Sequence, residues 1–167
     1  MMPFVGIHSY QQAEAANTDP GLRIGSVMGG RLSDLFSLNG EVHADLTNPG
    51  DLPAGTKISE LTFSGCFSPL VQIHDENIEF VLGPKIGGFL VQQRISNGLG
   101  NSAADGLGLL IGLNFGMFYP VSPATSVGVL LSLELAKLTM VCEDSVCDMN
   151  VDAPASQIVG LTAAALF

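Results

Sequence analysis

At 167 residues the chain has the length of one domain, and its 16 acidic against 6 basic residues give a net charge of −10 at pH 7. That balance, with no basic run anywhere, excludes recognition of nucleic-acid phosphates, which needs clustered Lys and Arg. Only 13% of residues are charged and 47% are hydrophobic, with a mean hydropathy of +0.40; a usual charged share is about 25%, so the chain is unusually apolar for a soluble domain.

Pro3 to Tyr10 reads as a short strand whose faces compete, Val5 and Ile7 against Phe4 and Tyr10. Gln11 to Gly21 is polar and closes on Asp-Pro-Gly, a loop signal. Leu22 to Leu32 alternates, with Leu22, Ile24, Met28 and Leu32 on one face and Arg23 and Arg31 on the other. Ser33-Asp34-Leu35 is a tight turn. Phe36 to Leu46 is the clearest stretch: Phe36, Leu38, Val42, Ala44 and Leu46 oppose Ser37, Asn39, Glu41, His43 and Asp45. Successive strand side chains point to opposite faces, so this is a strand with one apolar and one polar face.

Thr47 to Lys57 is a long polar loop rich in Pro and Gly. Ile58 to Leu70 resumes the alternation, with Leu61, Phe63 and Phe67 opposite Glu60, Thr62, Ser64 and Cys66. A short polar link, His74 to Asn77, leads to Ile78–Gln92. There Ile78, Phe80, Leu82, Ile86 and Leu90 oppose Glu79, Lys85, Val81, Phe89 and Val91. Arg94 to Asp105 is expected to be another long loop. Leu107, Leu109, Ile111, Leu113, Phe115, Met117 and Tyr119 then form an unbroken apolar stripe against Gly108, Leu110, Gly112, Asn114, Gly116 and Phe118. After a short turn at Ser122-Pro123-Ala124, Ser126 to Val141 places Val127, Val129, Leu131, Leu133 and Leu135 opposite Leu130, Ser132 and Glu134. Cys142 to Pro154 is a long acidic loop, and Ser156 to Phe167 is a final strand ending on an aromatic residue.

The expectation is about eight antiparallel strands in one domain over residues 1–167, with long and short connections alternating and both termini on the short-turn side. From Gly106 to Leu133 no residue is charged, yet recurrent glycines and Pro120 and Pro123 argue for two strands and a turn over a membrane helix. Two all-β arrangements satisfy the alternation. A transmembrane barrel turns the apolar faces to lipid and encloses the polar ones. A soluble, lipocalin-like barrel inverts this, lining a cavity for a small apolar ligand with Leu107 to Tyr119.

The membrane arrangement is preferred because Phe36, Phe67, Phe80, Tyr119 and Phe167 all lie on apolar faces and are expected near the short-turn end, as an interfacial aromatic girdle. It makes Arg23, Arg31, Glu41, His43, Asp45, Glu60, Glu79, Lys85 and Glu134 an interior charge network. Buried charges must pair, and a small barrel is filled by side chains, so the interior is expected to be a plug and not an open channel.

Cys142 and Cys147 lie close together in a polar segment, where either a disulfide in an oxidising compartment or two thiols would fit, and Cys66 stands alone. Asp148, Asn150 and Asp152 have a calcium-loop spacing without the glycine and closing glutamate of that motif, so a solvated acidic loop is the expectation and no metal or other cofactor is assigned. Candidate catalytic pairs are His8 with Ser9, His43 with Glu41 or Asp45, and His74 with Asp75. No nucleophile-elbow motif accompanies them, and an enzyme is not expected. MMPFVGIHSY lacks the basic and long apolar regions of an export signal, so for an exported protein this is the mature part or a fragment.

The GLRIGSVMGGRL…FSLNGEVHADL hairpin, the EFVLGPKIGGFL strand and the terminal QIVGLTAAALF strand resemble the small outer-membrane barrels of the OmpA/OmpX type, over essentially the whole chain. The resemblance implies an eight-stranded up-and-down barrel in the bacterial outer membrane with a structural or surface-interaction role. It implies membrane lipid as partner, with unspecified partners at the outer loops. The terminal aromatic at Phe167 resembles the signal read by the barrel-assembly machinery.

Overall fold

A computed structural model describes residues 2–11, 20–47, 57–75, 77–97, 100–122, 125–143, 146–149, 151 and 155–166. Among them are nine strands: β1 (Met2–Gln11), β2 (Gly21–Arg31), β3 (Phe36–Thr47), β4 (Lys57–Asp75), β5 (Ile78–Asn97), β6 (Gly100–Ser122), β7 (Thr125–Glu143), β8 (Val146–Asp148) and β9 (Ser156–Leu166). All pairings are antiparallel. The order β6-β5-β4-β3-β2-β1-β9-β7 closes through β6–β7, leaving β8 on the edge of β7. An eight-stranded ring has no open edge, so every strand satisfies its backbone through its neighbours, as hydrocarbon surroundings demand. Closure comes from β1 against β9, where Phe4 pairs with Ala164 and Gln11 with Gln157.

The faces settle the direction of the alternation. Leu109, Ile111, Leu113 and Leu133 are 61, 53, 52 and 48% exposed, whereas Arg23 and Asp45 are each 1% exposed. The apolar stripes form the outer wall and the polar stripes the interior, so the lipocalin-like arrangement is excluded. On β1 the competing faces resolve the same way: Val5 and Ile7 are outside, and Phe4 and His8 are buried inside. Outward apolar positions run from Leu82 to Leu90 on β5, before Gln92 and Arg94, and from Val127 to Leu135 on β7, before Lys137. Those spans match the ~9–11 tilted residues that cross a hydrocarbon core.

Two expected loops take a different form. Arg94 to Asp105 is mostly strand, with Gln93 paired to Ala104 and Ile95 to Ser102. At ~3.3 Å per residue the 23 residues of β6 extend roughly 75 Å, well beyond a core of ~30 Å, so this hairpin projects past the apolar belt. There polar residues stand on both faces, Gln93 half-buried on one and Arg94 exposed on the other, and the apolar alternation that marks a strand disappears. Within Cys142 to Pro154, β8 folds back on β7, pairing Cys142 with Cys147.

The aromatic girdle is blurred. Phe36 begins β3, Phe80 lies near the start of β5 and Tyr119 near the end of β6, all beside short links. β4, however, continues to Asp75, so Phe67, paired with Gly40 and Ile86, sits in the body of the belt. Phe63 and Phe115 are also outward. Phe167 and the side chain of Arg31 lie outside the described residues.

Candidate functional site: an ionic layer across the barrel

The inward positions form three levels. Phe4, Val81, Phe118, Leu130 and Ala164 make an apolar cluster toward the end with the short links. Cys66, Phe89, Leu110, Ala136 and Ile158 make a second toward the other end. Between them on the same strands stand Lys85 on β5 and Ser132 and Glu134 on β7, and this level is ionic.

Arg23 is its centre. Nε and Nη2 donate to Oδ1 and Oδ2 of Asp45 at 2.8 and 2.9 Å. Nη1 and Nη2 donate to Oε1 and Oε2 of Glu134 at 2.7 and 3.1 Å, and Nη1 also reaches Ser132 Oγ at 3.1 Å. The planar guanidinium thus holds two carboxylates in forked geometry, the arrangement for which Arg is suited and Lys is not. Lys85 Nζ donates to Glu134 Oε1 at 2.7 Å and Glu41 Oε1 at 3.1 Å. His43 completes the layer, with Nδ1 3.0 Å from Glu41 Oε1 and Nε2 3.6 Å from Asp45 Oδ2. His8 Nε2 lies 2.8 Å from Thr47 Oγ1, and its Nδ1 3.8 Å from Asp45 Oδ1.

Glycine opposite the long side chains makes room for them. A Cβ on Gly160 would stand 3.1 Å from Arg23 Nη1 and 2.6 Å from Ser132 Oγ.

Six of the residues expected in the charge network therefore meet: Arg23, Glu41, His43, Asp45, Lys85 and Glu134. Glu60 and Glu79 do not join them. Glu60 lies toward the outer end, with Gln93 Nε2 3.5 Å from its Oε2. Glu79 lies at the short-link end, 3.9 Å from His74 Nδ1. His8, Thr47 and Ser132 were missed as members of this layer. The signal available for them was the inward alternation, which is weak on β1.

Glu41, His43 and Glu134 present donor atoms within 4.8 Å of one another, close enough to hold a metal ion. The Lys85 ammonium already bridges the two carboxylates, supplying the positive charge a metal would bring, so this set is an ion-pair network. The expected calcium-like spacing is left with Asp148 alone, exposed in β8, because Asn150 and Asp152 lie outside the described residues. The sulfurs of Cys142 and Cys147 are bonded, which fastens β8 to β7.

The lumen is divided. A cavity of about 300 Å³ lies at the outer end and one of about 50 Å³ on the other side, the latter lined by Asn39, Glu41, Glu79 and Asn114 among others. The ionic layer fills the section between them.

No protein-family model matches the sequence, and no curated protein is significantly similar to it. Solved structures do share the fold. Ail, the attachment invasion locus protein of Yersinia pestis, is 12% identical with a TM-score of 0.63, covering 99% of this chain and 93% of that one. Its complex with the heparin analogue sucrose octasulfate gives a TM-score of 0.62. Neisserial surface protein A is 13% identical with a TM-score of 0.63, covering 99% and 95% of the two chains. A major outer membrane protein from Thermus thermophilus is 13% identical with a TM-score of 0.56, covering 99% of each. The chain has the fold of small eight-stranded outer-membrane β-barrels.

Proposed function

We propose that this chain is an integral protein of a bacterial outer membrane, a closed stave barrel whose outer end makes contacts at the cell surface. The observation that carries the reading is the inversion of polarity: an exposed apolar belt surrounds an interior crossed by Arg23, Lys85 and their carboxylates. Such a wall is stable where lipid covers it and is a liability in water. The shared fold with Ail and Neisserial surface protein A supports the reading. Lipid is the partner of the belt, and the barrel-assembly machinery is the partner during insertion.

The role is non-catalytic. The His43, Glu41 and Asp45 group is buried, and its carboxylates are held by Lys85 and Arg23. Nor would the surface contacts copy those of Ail with a heparin analogue. Among the described residues toward the outer end, Asp105, Glu143 and Asp148 stand against Arg94, in a chain of net charge −10. A polyanion would be repelled, and a neutral or basic partner would be favoured.

Membrane fractionation with heat-modifiable gel mobility tests the proposal. The unheated protein should be found in the outer-membrane fraction and migrate faster than the heated one. A chain that stays soluble without detergent would overturn it.

A further inference from the structure

The outer cavity of about 300 Å³ has a lining that the ionic layer does not explain. Phe89, Leu110 and Ile158 form the apolar part of its floor, beside the hydroxyls of Thr62 and Ser64, residues whose strand partners are Asp45 and His43 of the ionic layer. Val91 and Leu138 continue the apolar wall. Glu60 projects from this wall, and its described partner is an amide, Gln93 Nε2 at 3.5 Å. The other ionisable group on the lining is also an acid, Asp105. Both interior cations of the described residues are committed elsewhere, Arg23 to Asp45 and Glu134, and Lys85 to Glu41 and Glu134. The cavity therefore combines an apolar base with a carboxylate that no described cation neutralises, and its size is that of a small-molecule site.

We infer that this cavity is a binding cup for a small organic ammonium, with its apolar body on Phe89, Leu110 and Ile158 and its charged head on Glu60. An anion would meet two acids and no base. A neutral apolar molecule would fill the floor but strip water from the Glu60 carboxylate without replacing it, which is costly. An ammonium satisfies both surfaces at once. The net charge of −10, together with the acids in the outer segments, would raise the concentration of such a cation at the mouth.

The test uses the full chain in lipid nanodiscs, with methyl NMR signals of Ile158 and Leu110 as the readout and 4-phenylbutylamine, 4-phenylbutanol and 4-phenylbutanoate as probes. The amine should shift both signals saturably, and the carboxylate should not. Glu60→Gln should weaken the amine about ten-fold, the loss of one charge-assisted contact. Asp34→Asn, which removes an exposed acid in the β2–β3 turn at the opposite end of the barrel, should leave its affinity within about two-fold, a change too small for a lost direct contact. Heat-modifiable mobility checks that each variant is folded. Equal saturation by amine and alcohol, an unchanged affinity in Glu60→Gln, or no saturable shift in the folded protein would each overturn the inference.

Discussion

Lys85 and Glu134 meet at 2.7 Å across an intervening strand. Lys85 pairs with Gly112 on β6, and Gly112 pairs with Glu134 on β7. Because the middle residue has no side chain, the ammonium can cross β6 inside the barrel. A Cβ at Gly112 would press against the Leu133 carbonyl oxygen and Glu134 itself. The charged layer is therefore written as much in its glycines as in its ions.

Removing the ammonium should be severe. Lys85→Met leaves Glu41 without its bridging cation and Glu134 with Arg23 alone. Breaking a buried pair costs about 3–5 kcal/mol because a buried charge is left uncompensated. Urea unfolding in lipid vesicles should show that loss. Adding Glu41→Gln should recover part of it, since the carboxylate most dependent on Lys85 is then gone. A double variant no more stable than Lys85→Met would argue against a bridged network.

Arg23→Lys tests geometry at constant charge. Lysine cannot fork onto Asp45 and Glu134 together, so about 2 kcal/mol or more should be lost despite the retained charge. A stability within ~0.5 kcal/mol of the parent, the range of an ordinary surface change, would mean that charge alone holds the layer.

The period of two made the wall legible because lipid contact demands an apolar residue at every outward position from Leu107 to Tyr119. It was silent from Arg94 to Asp105, beyond the apolar belt, where polar residues occupy both faces of the hairpin. It also showed that Glu41, Glu60 and Glu79 point inward without giving their heights. Height depends on the stagger between strands, and only the register shows that Glu41 reaches Lys85 while Glu60 and Glu79 lie toward opposite ends. The polar interior was readable as composition, and its division into a layer with cavities on both sides was not.

Gly160→Ala probes the room around Arg23. The new methyl would crowd Arg23 Nη1 and Ser132 Oγ. Overpacking of this kind costs about 1–3 kcal/mol. Ala at Gly65, where a Cβ meets nothing within 4 Å on the outer wall, should change stability by less than ~0.5 kcal/mol. The pair is measured side by side by unfolding in vesicles, and equal effects would remove the packing explanation.

The Cys142–Cys147 bond joins residues separated by 5 in sequence, tying the end of the ring strand β7 to β8, which lies outside the ring. The Cys142→Ser/Cys147→Ser double variant should therefore leave the barrel's heat-modifiable transition unchanged. It should make the segment around β8 more open to protease added from outside, because β8 is an exposed strand of three residues that the bond fastens to β7. Loss of the whole barrel's stability would show that the bond acts beyond its hairpin.

A charge placed on the wall at different depths would map the membrane directly. Leu113 pairs with Pro84 and Leu133 in the middle of the outward stripe of β6, whereas Lys137 is already charged and pairs with Leu109 near the outer edge of the belt on β7. Arg at mid-depth of a barrel wall costs about 2–4 kcal/mol and close to nothing near the interface. Leu113→Arg should therefore lower stability in vesicles by that amount, while Lys137→Arg should leave it unchanged. The same Leu113→Arg protein, kept folded in detergent and compared in vesicles of thinner and thicker lipid, should lose more in the thicker bilayer, where position 113 lies farther from water. An effect independent of bilayer thickness would mean that this face of β6 is covered by something other than lipid.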